Sequence, residues 1–189
     1  RLIFDPRAIL AEKQWYRMLS SALIHSDWAH CGFNLLSLYL FADTLEALFG
    51  GWIVLAIYVA SILGGEFLAL YLHRHHEYRS LGASGGVCGV HIDSLFLLPG
   101  TTIGLLFLPI GIPGWIYALL YLGGAFIAAK KNRDNIGHEA HFGGATVGLL
   151  AALIIAPAAC LSQPFQFFGA LALALALSLY DTLRDGPHA

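Results

Sequence analysis

Residues 52–72, WIVLAIYVASILGGEFLALYL, decide the fold class of this chain. The stretch contains one charged residue, Glu66, and is otherwise almost entirely apolar. An α-helix crosses the hydrocarbon core of a bilayer with about 20 apolar residues, so this stretch has the length and composition of a transmembrane helix. Gly50 and Gly51 precede it, and a polar segment follows at residues 73–79. The sequence therefore predicts a membrane-spanning helix with defined ends.

Similar apolar segments recur on both sides of this stretch, separated by glycine, proline or charged residues. The six predicted spans lie at about residues 28–49, 52–72, 83–98, 114–129, 139–159 and 165–183. Residues 101–113 are rich in glycine and proline, and an interfacial position is one interpretation of them. No segment shows the alternation of about ten residues that a membrane β-barrel requires.

Because a backbone in lipid must satisfy its own hydrogen bonds, these segments are predicted to be helices. The predicted fold is all-α, a polytopic transmembrane helical bundle with about six membrane helices. Residues 1–27 hold no span and are interpreted as a first loop or interfacial segment. Residues 28–159 form the membrane core, and residues 160–189 add a C-terminal transmembrane helix and tail.

The composition excludes several classes of protein. The chain has 189 residues, of which 58% are hydrophobic and 12% charged, against about 25% charged residues in a typical soluble domain. A water-soluble globule and a disordered chain are both disfavoured. The net charge of −2 offers no basic surface for nucleic acid. Cysteine is present three times, without a disulfide framework or a CxxC zinc site.

Polar residues inside the predicted spans are the functional candidates, because a charge at mid-helix costs about 2.5–3.5 kcal/mol. They are His30, Asn34, Asp43, Glu46, Glu66, Ser84, His91, Asp93, Glu139 and His141. The first, third and fifth spans run in the same direction, so their N-terminal ends lie on one side of the membrane. His30, Asn34, Ser84 and His141 all lie near those ends and can share one depth.

Glycine spacing suggests how Ser84 and His141 meet. Gly85 and Gly89 follow Ser84, while Gly144 and Gly148 follow His141, and such GxxxG faces let helices approach closely in lipid. A hydroxyl beside an imidazole is the minimum for nucleophilic acyl transfer. Backbone N–H groups at the helix start, with His30 and Asn34, can then stabilise an oxyanion.

These residues resemble the motifs of the rhomboid family of intramembrane serine proteases, in the same order. Residues 82–85, GASG, resemble the family's GxSG. Residues 140–144, AHFGG, with Gly148, resemble AHxxGxxxG. Residues 25–34, HSDWAHCGFN, resemble HxxxxHxxxN. The resemblance also extends to Trp15 and Arg17 of the first loop and to Glu46 and Gly50, which resemble ExxxG.

The resemblance implies that Ser84 is the nucleophile, His141 the general base, and His30 and Asn34 oxyanion donors. It assigns Gly82, Gly85, Gly144, Gly148, Arg17 and Glu46 to the structural motifs, and His25 to a structural role. The implied activity is hydrolysis of peptide bonds in or near transmembrane helices of membrane-protein substrates, without a metal or organic cofactor. The implied location is a multi-pass position in the lipid bilayer, the inner or plasma membrane in a bacterium.

The sequence also differs from the family's pattern in three respects. The family's core has six spans with the pair in the fourth and sixth, whereas Ser84 and His141 fall in the third and fifth, so the usual first helix is expected before Arg1. Cys88 stands where an aromatic side chain often packs against the histidine. All ten Lys and Arg lie on the Ser84 side, which the positive-inside rule places in the cytoplasm, whereas the family places its site outside or in the lumen.

Two other functions remain open on the sequence. A non-catalytic relative would bind transmembrane helices and guide their degradation or trafficking, but such proteins usually lack the serine or the histidine. A small transporter would use ionisable residues near mid-membrane, yet the sequence shows no internal repeat. The oligomeric state is not determined by the sequence.

Three polar features have simpler interpretations. His73, His75, His76 and Glu77 are predicted to form a solvated loop rather than a metal site, because short histidine tracts are a loose metal signal. Glu66 is predicted to be a hydrogen-bond partner between helices. Lys130, Lys131 and Arg133 are predicted to flank the membrane.

Overall fold

A computed structural model describes residues 1–104, 111–131 and 138–184 of the chain. Arg133 and the side chains of Lys130 and Lys131, predicted to flank the membrane, lie outside the described part. Helices dominate the described residues and occupy all six predicted segments. They are α1 (Pro6–Leu10), α2 (Arg17–Ser20), a 3₁₀ turn (Ser21–Leu23), α3 (Trp28–Phe49), α4 (Gly51–His73), α5 (Ser84–Leu97), α6 (Gly114–Lys131), α7 (His138–Ile155), α8 (Pro157–Leu161) and α9 (Pro164–Arg184).

Local chemistry sets the boundaries of α3 and α4. Asp27 caps α3, where its carboxylate accepts a hydrogen bond from the backbone N–H of His30 at 2.8 Å. Gly50 separates α3 from α4 with φ +85°, a conformation that residues other than glycine rarely adopt. Its N–H donates to the carbonyl of Glu46 at 2.8 Å. The predicted motif of Glu46 and Gly50 therefore lies at a real helix end.

The structure corrects two details of the predicted pattern. The fifth segment, expected to run to residue 159, is divided, because α7 ends at Ile155 and Pro157 begins α8. The ambiguous stretch after α5 contains two short antiparallel strands, β1 (Thr102–Gly104) and β2 (Gly111–Pro113). The residues between these strands lie outside the described part.

α5 is the central helix of the bundle. Every residue from Gly85 to Leu97 is buried, because α3, α4, α6 and α7 surround this helix. The glycine faces pack as the sequence predicted, with Gly144 against the backbone of Gly85 and Gly148 against that of Gly89. This close approach of α5 and α7 brings the starts of the two helices together.

The outer surface of the bundle is apolar. α3 buries only Asn34 and Leu45 and exposes large apolar side chains, among them Phe33, Tyr39 and Leu40. Exposed apolar surface of this extent marks contact with lipid or with another apolar partner. α4 is the helix in the described residues that meets both the length and the composition needed to cross a membrane. Shorter apolar helical segments lie at Gly114–Ile127, Glu139–Ile155 and Pro164–Tyr180.

The N-terminal segment packs on the C-terminal half of α4. Phe4, Ile9 and Met18 are buried against Ala69 and Leu70. The backbone of Phe4 also forms a bridge to Ser80, four residues before α5. Residues 1–23 therefore support the segment that leads into the first turn of α5.

Two polar residues of α4 belong to this contact. Glu66 is buried and accepts a hydrogen bond from the Ser21 hydroxyl at 3.0 Å, so it is a hydrogen-bond partner, but to the 3₁₀ turn of the N-terminal segment and not to another predicted span. The prediction of a solvated loop from His73 onward needs correction. His73 is buried in the last turn of α4, while His75, His76 and Glu77 are exposed.

Candidate active site

Ser84 begins α5, directly after a turn that requires glycine. Gly82 has φ +120°, which only glycine adopts readily, and its N–H donates to the carbonyl of Ser21 at 3.0 Å. The first backbone hydrogen bond of the helix runs from Val87 to Ala83. The N–H groups in the first turn of α5, where Ser84 lies, are therefore not used by backbone hydrogen bonds within the helix.

His141 lies in the first turns of α7 and reaches Ser84 across the glycine contact. Its Nε2 is 2.6 Å from the Ser84 Oγ, a hydrogen-bond distance. The two residues are far apart in sequence and meet because α5 and α7 touch at Gly85 and Gly144. The arrangement can transfer the hydroxyl proton to the imidazole, which is the chemistry of an activated serine.

His30 and Asn34 reach the same place from α3. A Cβ on Gly82 would lie 2.9 Å from the His30 Nε2 and 3.8 Å from the Ser84 Oγ, so glycine is required for the ring to lie here. The hydroxyl of Ser26 lies 3.1 Å from the other ring nitrogen of His30 and orients the imidazole. Asn34 is buried, and its side-chain Nδ2 finds no acceptor among the described residues.

His25 and Asp27 support the His30 ring from outside the helix core. The ring of His25 packs edge-on against that of His30, with centroids 5.0 Å apart. Burial, with the nearby His30, lowers the pKa of His25. Hydrogen bonds from the His30 N–H and the Ser26 hydroxyl lower the pKa of Asp27. The predicted structural position of His25 agrees with this packing.

A cavity of about 510 Å³ opens over the four predicted residues. It is lined by His30, Phe33, Asn34, Ser37, Ser84, Val87, Leu120, Tyr121, Gly124, Ala125 and His141. α6 supplies the wall opposite α3, which the sequence did not predict. Tyr121 of this wall lies near the Cys88 thiol, one helical turn below Ser84. Aromatic side chains at the site thus come from Phe33 of α3 and Tyr121 of α6, and a tyrosine in an apolar helix gave no signal for the second.

The remaining motif residues lie outside the cavity. Arg17 is buried and donates to the Gln14 side chain at 2.6 Å and to the Ile3 carbonyl at 2.8 Å. It therefore ties the N-terminal segment together. Glu46 lies at the far end of α3, next to the turn at Gly50. The structure separates these two residues from Ser84 and His141.

Two other buried polar residues do not reach the cavity lining. His91 stacks on Phe41 with centroids 3.6 Å apart and lies near Tyr121. Asp93 is fully buried, and the structure shows no direct hydrogen bond between it and His91. Among the residues that the structure describes, no group of three or more metal-ligating side chains is assembled.

Comparison with known proteins identifies the family of this chain. The family model of the Rhomboid domain matches residues 12–158, which is most of the chain. The chain therefore belongs to the rhomboid family, and membership indicates an integral membrane protein with a helical membrane bundle.

Several curated proteins are similar to this chain. RHOMBOID-like protein 12, mitochondrial, of Arabidopsis thaliana is 29% identical over 72% of this chain and 45% of its own length. Rhomboid protease GluP of Bacillus subtilis is 28% identical over 96% of this chain and 34% of its own length. Rhomboid protease AarA of Providencia stuartii is 26% identical over 74% of this chain and 55% of its own length. The chain thus spans about a third to a half of these relatives.

Proposed function

We propose that this chain is an intramembrane serine endopeptidase in which Ser84 is the nucleophile and His141 the general base. The observation that carries the proposal is the distance of 2.6 Å between the Ser84 Oγ and the His141 Nε2, at the edge of an open cavity. Relatives named proteases, among them Rhomboid protease GluP and Rhomboid protease AarA, support a hydrolase.

The pair performs the reaction in two halves. His141 accepts the Ser84 hydroxyl proton while the Oγ attacks the carbonyl carbon of the substrate peptide bond. The C–N bond breaks as the leaving amine takes the proton from His141, and an acyl ester remains on Ser84. Water, deprotonated by His141, then hydrolyses the ester and returns the hydroxyl. The reaction needs no metal or organic cofactor.

His30 and Asn34 are proposed to stabilise the oxyanion that forms on the substrate carbonyl, together with the backbone N–H of Ser84. Asn34 supports this role most directly, because the residue lines the cavity and its buried Nδ2 has no acceptor among the described residues. A donor that gains its acceptor only as the reaction proceeds stabilises the transition state more than the ground state. Each such donor contributes about 2.7–4 kcal/mol.

The substrates are proposed to be proteins with a transmembrane helix that unfolds locally at the cavity. The exposed apolar side chains of α3 would lie in lipid beside the opening between α3 and α6. We propose a multi-pass arrangement with a catalytic membrane core at residues 28–159. Residues 1–27 would form a first loop, and residues 160–189 an additional C-terminal helix and tail.

The test is labelling of the full-length protein by a fluorophosphonate serine probe, beside Ser84→Ala and His141→Ala. Labelling of the wild type and its loss in both variants is the expected result. Ser84→Ala should also abolish cleavage while the protein stays folded and inserted in the membrane. A wild type that does not label, in a detergent where a known active rhomboid does, refutes the proposal and favours a non-catalytic helix-binding protein.

A further inference from the structure

Side chains from a different part of the chain contact both carboxylate oxygens of Glu139. The Tyr78 hydroxyl donates to the Oε2 at 3.2 Å. The His73 Nε2 lies 3.5 Å from the Oε1, within ion-pair distance for a protonated ring but without a hydrogen bond. The Glu139 side chain is only 16% exposed, and a carboxylate removed from water is costly unless it is paired in this way.

The two partners of Glu139 form one rigid unit. The rings of His73 and Tyr78 stack face to face, with centroids 3.6 Å apart and planes 3° from parallel. His76 lies 2.7 Å from the second ring nitrogen of His73, and Phe4 packs edge-on against Tyr78. Burial, with the neighbouring Glu139 carboxylate, raises the pKa of Tyr78 well above its usual value. The phenol therefore stays protonated and continues to donate.

Glu139 lies in the first turn of α7, two residues before His141. The first turn of a helix has no preceding turn to hold it through backbone hydrogen bonds, so side chains fix its position. The carbonyl of Ala140, between the two residues, packs against Gly65 and lies 3.0 Å from where a Cβ on Gly85 would be. The first turn of α7 therefore packs against the backbones of α4 and α5 through Ala140. It also contacts Tyr78 and His73 through the Glu139 side chain.

We propose that Glu139 is a positioning residue for the reaction, held by Tyr78 and His73, and that it sets the place of the His141 imidazole relative to Ser84. This inference rests on the proposed function. Glu139 does not touch the Ser84 hydroxyl; it acts through the first turn of α7. A displacement of about 1 Å at a reacting group costs on the order of 100-fold in rate, so the loss of one contact that positions α7 can slow the reaction.

The experiment measures the rate constant and the final amplitude of fluorophosphonate labelling for the full-length protein. The variants are Glu139→Ala, Glu139→Gln, Tyr78→Phe and the double variant Glu139→Ala/Tyr78→Phe. Glu77→Ala is the matched control, because Glu77 is an exposed glutamate beside Tyr78. The amplitude reports how much protein is folded, whereas the rate constant reports how well each folded molecule reacts.

We expect Glu139→Ala to lower the rate constant by about 10- to 100-fold at nearly unchanged amplitude. Glu139→Gln should restore most of the rate, since the amide oxygen still accepts from Tyr78. Tyr78→Phe should also slow labelling. The double variant should be little slower than Glu139→Ala alone, because both changes remove the same interaction, the hydrogen bond between Tyr78 and Glu139. Glu77→Ala should label like the wild type.

A merely structural role predicts the opposite pattern, in which amplitude and melting temperature fall while the rate constant stays at the wild-type value. That pattern, or additive effects in the double variant, overturns the positioning role while the proposed function stands. If Glu139→Ala does not fold, Tyr78→Phe at the wild-type rate constant overturns it as well. A wild type that does not label refutes the proposed function, and the positioning role with it.

Discussion

An added methyl group at residue 144 should open the contact that brings the proposed catalytic pair together. In Gly144→Ala the new Cβ would lie against the carbonyl oxygen of Gly85, 2.8 Å from its carbonyl carbon and 3.1 Å from its Cα. Carbon atoms in contact prefer about 3.5–4.0 Å, so α5 and α7 must separate by about 1 Å here. If the separation is transmitted to the adjoining turns, the 2.6 Å contact between Ser84 and His141 exceeds a good hydrogen-bond distance.

The expected cost of Gly144→Ala is about 1–3 kcal/mol in unfolding free energy, from forced overpacking. The expected loss of labelling rate is on the order of 100-fold, from misplacement of the imidazole by about 1 Å. Thermal unfolding in detergent and fluorophosphonate labelling measure the two effects. Gly144→Leu should lower both quantities further.

Gly123→Ala is the matched control, because a Cβ at Gly123 in α6 meets no atom within 4 Å. Alanine is the better helix former, so this variant should keep its activity and be as stable as the wild type or more so. Gly144→Ala that melts and labels like the wild type would refute the argument that contact of the α5 and α7 backbones sets the site.

Two further predictions concern the residues of α3 and the segment before it. Asn34→Ala should lower the cleavage rate by about 10²–10³-fold with little change in melting temperature, because its Nδ2 has no acceptor among the described residues; an unchanged rate would contradict the oxyanion role. Because its pKa is lowered in the folded protein, His25 contributes stability above its unfolded pKa of about 6.5, and that stability is lost as the pH falls through the folded value. As the pH is lowered from 8 to 5, the melting temperature should therefore fall less steeply in His25→Gln than in the wild type. Equal slopes would contradict a contribution of His25 to stability.

Most helix positions could be predicted from the sequence because their signals are local. The apolar run of α4 and the glycines before it define a helix without knowledge of its neighbours. The end of α7 was predicted too late, because the residues on both sides of Pro157 are equally apolar and hydropathy does not register a break in the backbone. The pairing of β1 with β2 depends on contacts between separate residues and had no local signal.

The residues proposed for catalysis were predictable for a different reason. Ser84 and His141 stand out because a polar group in an apolar span is costly, and the glycines beside them indicate close helix packing. Tyr121 carries no comparable signal, and Glu139 stands among the polar candidates of the sequence without any indication of its partners. A tyrosine in an apolar helix and a glutamate at a helix start are both ordinary, and their partners are remote in the sequence.

The sequence by itself therefore determined the class of fold, the approximate positions of the long helices and the candidate residues for chemistry, because hydrophobicity and glycine spacing act over a single helix. The tertiary structure decided which of those residues meet. It placed Ser84 against His141, lined the cavity beside them with residues of α6, and buried Glu139 against His73 and Tyr78. Such contacts depend on how far helices approach and rotate, which is set by packing across the whole bundle.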